Sequence, residues 1–513
     1  MNRRSALALL LILAGALTLR LPQLSLRPLH NDEAVNAVKV SELWEQGRYV
    51  YDPDEYHGPT LHYFTVPFLA LSGAENSGEL PDAALRIAPA VFGVGLILIL
   101  LLLIDGLGRA AVFWSAMFIA VSPAMVFYSR YFIHEMLLVF FTGLTIGAGW
   151  RYGQSKSMRW AVVAGIGLGL MSTTKETFVL ALAAMGGAWL AVNGPGLHAQ
   201  GRAWFAAHGN AKHFAAFAGT AAVVWLALFT SFFTNASGPL DSIRTYLPWL
   251  ERAGGESPHI HPWHFYLHRL AWFHPAKSPV WTEGLILALA VVGAGAAFLG
   301  ERSSLRRFLA LYTVLLMAIY TVISYKTPWC LLGFYHGMIL LAGIGAAWLV
   351  DRIQGRAGKI ALMTLLGAGT LHLGWQAWRA GHGFAADPKN PYVYAQTSPD
   401  IGQLIERVEG IGRVAADGYG TVVKVIAPDS DYWPLPWYLR RFEKVGWYDA
   451  LPEDPFAPVM IVSSQLNARL DDASERRWIM AGYTELRPGI FLELYVELEL
   501  WKRYVETLPR PKD

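Results

Sequence analysis

Apolar residues along this chain gather in runs of about twenty, the length an α-helix needs to cross a bilayer, because lipid offers the backbone no hydrogen-bond partners. These runs predict spans at about 5–21, 84–104, 110–128, 132–150, 159–174, 176–192, 213–233, 281–299, 308–324, 330–350 and 359–378, about eleven in all. Shared edges near 130 and 175 predict very tight turns there. The first run follows Arg3-Arg4 and has no convincing small-residue cleavage site before Arg20-Leu21-Pro22, so it reads as a retained span rather than a signal peptide. Two long connections interrupt the series. One, at 22–83, holds stretches of helical periodicity near 33–46 and 60–72 that suit helices lying at a membrane interface. The other, at 234–280, is rich in Trp, Tyr, His and Pro.

Beyond residue 385 the pattern changes to that of a water-soluble α/β domain. Ser398-Pro399 is a good N-cap and first-turn pair for a helix through about Val408, and Val459–Ser463 and Ile490–Val496 read as strands. No nucleophile elbow, phosphate loop or metal motif stands in this tail. The predicted architecture is an all-α polytopic membrane domain, 1–380, followed by an α/β extracytoplasmic domain, 385–513.

Basic residues set the expected orientation. With the N-terminus in the cytoplasm, the inner loops hold Arg109; Arg151, Lys156 and Arg159; Arg202 and Lys212; Arg302, Arg306 and Arg307; and Arg352, Arg356 and Lys359. The short outer connections hold only Arg130, Lys175 and Lys326. An odd number of spans then puts the C-terminal domain outside, in a multi-pass protein of the inner, cytoplasmic membrane. Composition agrees: 54% of the residues are hydrophobic and 16% charged, too few charges for an ordinary soluble surface. The net charge of +3, without any basic run, excludes a nucleic-acid partner. The single cysteine, Cys330, rules out an intramolecular disulfide.

The charged motifs collect in the outer connections. In His30-Asn31-Asp32-Glu33 the adjacent carboxylates point different ways, so one can act as a general base or cation ligand while the other orients a backbone or basic group. The alternative is a helix cap at Asn31 or Asp32, with the acids favoured by the helix dipole. The stretch Tyr51 to Pro59 offers Glu55 and His57 for polar groups or a cation, or else forms a plain exposed turn. Arg130, His134 and Glu135 stand where two spans meet, where ionisable groups tend to be functional, although a structural pair or a snorkelling Arg gives the same pattern. Lys175 and Lys326 occupy tight outer turns and suit phosphate; the alternative is interfacial anchoring. His259, His261 and His264 have metal-like spacing, the competing reading being a His/Trp-rich interfacial loop.

Asp32-Glu33 after the first span, the long first loop, Ser129-Arg130 through Glu135, and the Lys326-Thr327-Pro328-Trp329 turn together resemble the GT-C superfamily of membrane glycosyltransferases. The similarity, over roughly residues 5–350, is to the flippase-activity-associated group, relatives of protein O-mannosyltransferases and of the lipid A aminoarabinose transferase. The resemblance implies a transferase that moves a sugar from a polyprenyl-phosphate donor to an outward-facing acceptor hydroxyl with inversion. Asp32 would be the base with Glu33 beside it, Arg130, Lys175 and Lys326 would hold phosphate, and Glu135, His134, His57 and Glu55 would serve the acceptor or a cation. Glu135 stands where the mannosyltransferase pattern usually has Asp. No cofactor is required, and a divalent cation is compatible with these ligands. The acceptor, whether protein, lipid or polymer, is left open. The alternative is a lipid-linked-sugar translocase or a non-catalytic partner of one; it predicts polar residues at mid-span and paired broken helices. A receptor is disfavoured, since eleven spans exceed what anchoring needs.

Overall fold

A computed structural model describes residues 3–201, 209–254, 257–299 and 304–509; Arg202 and Arg302 of the predicted inner loops lie outside them. A helix stands at each of the eleven predicted segments, from Arg3–Arg20 to Arg356–Gly381. Among the described residues, five are long and apolar enough to cross a membrane: Asp82–Leu107, Phe178–Gln200, Ala211–Phe229, Ser304–Val322 and Pro328–Arg352. A sixth forms if Arg109–Val121 and Pro123–Ser129, bent by 58°, are one span. The others are shorter, less apolar or carry more charge. The expected interfacial stretches are the helices Asn31–Gln46 and Thr60–Leu71. The long 234–280 connection carries short helices at Gly238–Arg244, Tyr246–Gly254 and Phe265–Ala271.

The chain divides into two compact units. One comprises Met1–Leu24, Glu42–Leu71 and Ala83–Tyr394; the other comprises Ser25–Ser41, Ser72–Asp82 and Ala395–Asp513. The second unit thus takes in two pieces of the first long connection along with the tail.

In the first unit, the bend at Ser122-Pro123 is where chain geometry and polar chemistry meet. Pro123 has no N–H, so the carbonyl of Ile119 loses its helical partner. Arg20 supplies the missing donors, its Nη2 bonding Ile119 O at 2.7 Å and its Nη1 bonding Ala120 O at 2.9 Å, while Nε reaches Ser129 Oγ at 3.1 Å. On the other side, Glu283 accepts from Ala124 N at 2.8 Å and is held by the hydroxyls of Tyr335 and Tyr392. Arg20 and Glu283 are both fully buried. Small residues let other helices meet closely: a Cβ added at Gly293 would lie 1.8 Å from Leu341 O, so the helices Gly284–Ala296 and Leu332–Arg352 touch backbone to backbone. At the far ends of the helices, Arg151 pairs with Asp105, and Arg306 Nη2 bonds Leu107 O at 2.7 Å. These basic residues of the predicted inner loops therefore cap neighbouring helix ends.

The second unit is built on a five-stranded sheet of order β2-β1-β3-β5-β4, with β1 Val422–Ile426, β2 Lys444–Tyr448, β3 Val459–Ser463, β4 Trp478–Arg487 and β5 Ile490–Glu497. β1 pairs in parallel with β2 and β3, whereas β5 pairs antiparallel with β3 and β4. The helices Ile401–Val414 and Leu498–Thr507 cover one face through Leu404, Val408, Ile411, Leu500 and Tyr504. The helix expected from Ser398-Pro399 begins only at Ile401 and continues to Val414; Ser398 Oγ accepts from Asp400 N at 3.3 Å.

Replacing Arg20 with Met should leave the carbonyls at the bend without donors in an apolar surround, at a cost of about 2–5 kcal/mol. Thermal unfolding of the detergent-solubilised protein should show a lowered melting temperature. An unchanged transition would remove Arg20 from this role.

Candidate active site

The second unit separates the two acids of the His30–Glu33 motif. His30 caps the helix Asn31–Gln46: its Nδ1 accepts from Asp32 N at 3.1 Å, and its own N–H donates to Glu33 Oε2 at 3.0 Å. This is a reciprocal capping arrangement with His in place of the usual hydroxyl residue, so the cap is His30 and neither Asn31 nor Asp32. Glu33 is fully buried and bonded by Arg27 Nη1 at 2.8 Å and Nη2 at 3.3 Å. Asp32 keeps 45% of its side chain exposed, with His30 Nδ1 3.8 Å away. Burial, opposed by Asp32 and Glu33, holds the His30 imidazole below its ordinary value, which favours the neutral ring. Glu33 is thereby committed to structure and Asp32 is available to a reacting group.

In the first unit, motifs far apart in sequence meet. Glu135 forms a buried ion pair with Lys175 rather than with Arg130. Burial works against the Lys175 charge, but Glu135 outweighs it and holds the ammonium above its ordinary value. One residue on, Glu176 accepts from Tyr51 Oη at 3.1 Å and lies 2.8 Å from His57 Nδ1. Burial opposes the Glu176 charge, and His57 overcomes this to keep the carboxyl below the usual range. His57 stacks on Trp249 with centroids 5.0 Å apart and meets His134 edge-on. The approach depends on Gly58, where an added Cβ would lie 2.1 Å from Thr173 O. Thr60 fastens the same contact, its N and Oγ1 both bonding Thr173 O. His134 Nε2 lies 3.1 Å from Gly58 O, and Glu55 is exposed.

Arg130 has a different task from the one expected. Its Nη1 bonds the carbonyls of Arg20 at 2.9 Å and Pro22 at 2.7 Å, and its Nη2 bonds Gln23 O at 3.1 Å. It caps the first helix, which occupies the groups assigned above to phosphate.

A third cluster surrounds Lys326. Ile260 and Tyr325 form an antiparallel bridge, and Lys326 N donates to His259 O at 2.8 Å. Lys326 Nζ donates to Ile323 O and to His261 O, the latter at 3.2 Å, which leaves one of its three N–H donors. His259 Nδ1 and His261 Nε2 both contact Tyr394 Oη, at 2.7 and 2.9 Å. His264 instead precedes the helix Phe265–Ala271 and stays exposed. Among the described residues no group of three or more His, Cys, Asp or Glu side chains is placed to hold a metal, so the proposed His259, His261 and His264 triad is corrected to a hydroxyl-centred pair.

The sequence reading missed Arg269. Its guanidinium lies 3.8 Å from the Phe265 ring centroid, and among the described residues its buried Nε has no hydrogen-bond partner. Burial acts against its charge, with the hydroxyls of Tyr128, Tyr394 and Tyr266 in opposition. The same charge, after burial, depresses His261. The one available signal was the four-residue Phe265/Arg269 spacing, which stacks a cation on a ring within a helix.

Beside Glu135 and Trp329 lies a small cavity of about 20 Å³, with Thr177 completing its polar part and Leu138, Val139, Ala181, Tyr312, Leu316 and Tyr320 lining the rest.

Residues 60–237 match the family described as dolichyl-phosphate-mannose-protein mannosyltransferase. No curated protein matches the chain by sequence. ArnT from Cupriavidus metallidurans bound to undecaprenyl phosphate is similar in structure, with a TM-score of 0.62 at 14% identity over 98% of this chain and 99% of that one. Its apo state gives 0.64 at 13% identity over the same shares. The archaeal oligosaccharyltransferase AglB from Archaeoglobus fulgidus, in complex with an inhibitory peptide and a dolichol-phosphate, gives 0.57 at 13% over 91% and 70%. The chain is a multi-pass membrane protein with the fold of the GT-C glycosyltransferases.

Proposed function

We propose that this protein is an inverting membrane glycosyltransferase that takes a sugar from a polyprenyl-phosphate donor and delivers it to an acceptor hydroxyl on the outer face of the cytoplasmic membrane. The observation that carries the reading is the division of labour between Asp32 and Glu33. A carboxylate that is exposed, beside a neutral imidazole and, among the described residues, without a Lys or Arg partner can take a proton; one locked in a buried pair with Arg27 cannot. In the proposed step the acceptor oxygen bonds to the anomeric carbon as its proton passes to Asp32. The bond from that carbon to the phosphate oxygen breaks, and polyprenyl phosphate leaves with the electron pair.

The leaving group needs cations that are not already neutralised. Arg269 and the remaining donor of Lys326 meet that requirement, with Tyr394 Oη close to both histidines as a further polar contact. A guanidinium whose unfilled Nε donor is buried gains more from a phosphate than an exposed one, because water competes less there. Similar structures hold undecaprenyl phosphate and a dolichol-phosphate, which supports the same ligand chemistry here. The Lys175–Glu135 ion pair and the His57–Glu176 contact engage these groups with one another, so they shape the site more than they bind charge. The sequence-based assignment of phosphate to Lys175 therefore moves to Arg269 and Lys326 in this proposal.

Sugar release from a panel of radiolabelled polyprenyl-phosphate sugars, with and without EDTA, tests the reading on purified protein. Asp32→Asn should lower the rate by about 10²–10⁴-fold, the usual contribution of a general base, with melting behaviour unchanged. Full turnover in this variant would discard Asp32 as the base; movement of labelled lipid across vesicles without transfer would favour a translocase. Glu33→Gln should act differently, destabilising the fold by about 3–5 kcal/mol because it strands Arg27 in a buried setting.

Arg269→Met keeps the side chain's bulk over Phe265 but removes its charge. It should raise KM for the donor by about 10- to 100-fold, the worth of one hydrogen bond to a charged group. An unchanged KM would remove Arg269 from the phosphate site.

A further inference from the structure

The segment that carries Asp32 does not hold itself in place. Leu29, three residues before it, is fully buried, and both of its backbone polar groups are engaged by residues from the C-terminal part of the chain. Its N–H donates to Tyr438 Oη at 2.7 Å, and its carbonyl accepts from Thr397 Oγ1 at 2.7 Å. Next to it, Pro28 O accepts from Gln396 Nε2 at 3.0 Å. The Oε1 of the same amide accepts from Arg27 Nη1 at 3.2 Å, and Arg27 in turn holds Glu33. These partners come from 368 to 409 positions away in sequence. Tyr438 is itself anchored, donating to Asp82 Oδ2 at 3.4 Å beside Trp437, whose Nε1 donates to Asp82 Oδ1 at 2.8 Å.

We propose that Gln396, Thr397 and Tyr438 are positioning residues for the transfer reaction, through which the C-terminal domain fixes the backbone of residues 27–29 and so the direction of the Asp32 carboxylate. The inference rests on the reading of Asp32 as the base. Its physical content is a demand on geometry. A base must stand within hydrogen-bond reach of the hydroxyl it deprotonates, and a misplacement of about 1 Å can cost on the order of 100-fold in rate. The connection from Leu21 to His30 contains no regular helix or strand, so its own backbone bonds cannot supply that precision. The three side chains satisfy the backbone groups that the connection leaves open. They act on the base through the main chain and through the Gln396–Arg27–Glu33 relay, and none of them bonds to Asp32. The C-terminal domain thereby gains a role in catalysis that needs no binding site of its own.

The experiment uses the full chain in detergent or nanodiscs, with the double substitution Thr397→Val and Tyr438→Phe, both close in shape to the originals. Amide hydrogen exchange is read on peptides covering residues 27–34, and sugar release is measured with the polyprenyl-phosphate sugar that wild type turns over. The expected result is faster exchange confined to 27–34, and kcat lower by about 10- to 100-fold at a donor KM within about twofold of wild type. Thr397→Ser, which keeps the hydroxyl, should restore both readouts in part when placed in the Tyr438→Phe background in place of Val, since the Leu29 N–H still lacks its acceptor. A melting temperature close to wild type accompanies this result. Unchanged exchange overturns the clamp; faster exchange with unchanged kcat overturns its part in the reaction. A rise in KM with kcat intact also overturns it. Asp32→Asn, run alongside, separates the two ideas: if it keeps full activity the base assignment fails, whereas its loss with an active double variant refutes only the positioning role.

Discussion

A backbone carbonyl in an apolar layer must find a donor, and the bend at Ser122-Pro123 exposes carbonyls that the helix itself cannot serve. Arg20 and Glu283 answer this from either side, one giving hydrogen bonds and the other accepting one. The consequence extends to the candidate site. Ser129-Arg130 closes the short helix after the bend, and Arg130 uses that location to cap the first helix, whose end begins the connection leading to Asp32. Were the two segments one straight helix, the polar groups of residues 129–135 would be aimed elsewhere.

The charged groups of the first unit follow a related rule. Where burial is deepest, charged groups have close polar partners: Lys175 has Glu135, and Glu176 has the His57 ring and the Tyr51 hydroxyl. A pair of this kind adds little net stability over well-packed apolar residues, but its partners are costly to separate, so it fixes geometry. Arg269 breaks the rule, since its half-buried charge rests on aromatic faces and, among the described residues, has no carboxylate partner. That contrast distinguishes cations that hold the protein together from one suited to hold an anion.

Helices were legible in the sequence because a span writes its length into the chain as an apolar run, and all eleven segments are helical. Three of the five strands were not. β2 and β4 are partly buried along most of their lengths, without the alternation that marks a one-sided strand, and β1, as long as β3, is interrupted by Lys424 at its centre. The chemistry was legible by motif and not by partner. Asp32-Glu33 stood out, but which acid was free depended on Arg27 and on the cap made by His30. Glu135 and Lys175 were each recognised, yet their pairing joins residues 40 positions apart. The histidines at 259 and 261 suggested a metal because Tyr394, which takes both rings, lies more than 130 positions on. Arg269 was overlooked because orientation is read from short loops, and it sits in a long one.

The bend also bears on how the chain is made. Arg20 is synthesised 99 residues before Ile119, its first distant acceptor, and Glu283 follows Ala124 by another 159. During that interval the charge at the end of the first helix can reach the Ala16 carbonyl of its own helix but none of its partners at the bend. Its final depth is set once the residues around the bend arrive, and the opposite side of the bend stays open until Glu283 is inserted. Assembly of this membrane domain is therefore ordered by a polar lock whose last piece comes from the second half of the polypeptide.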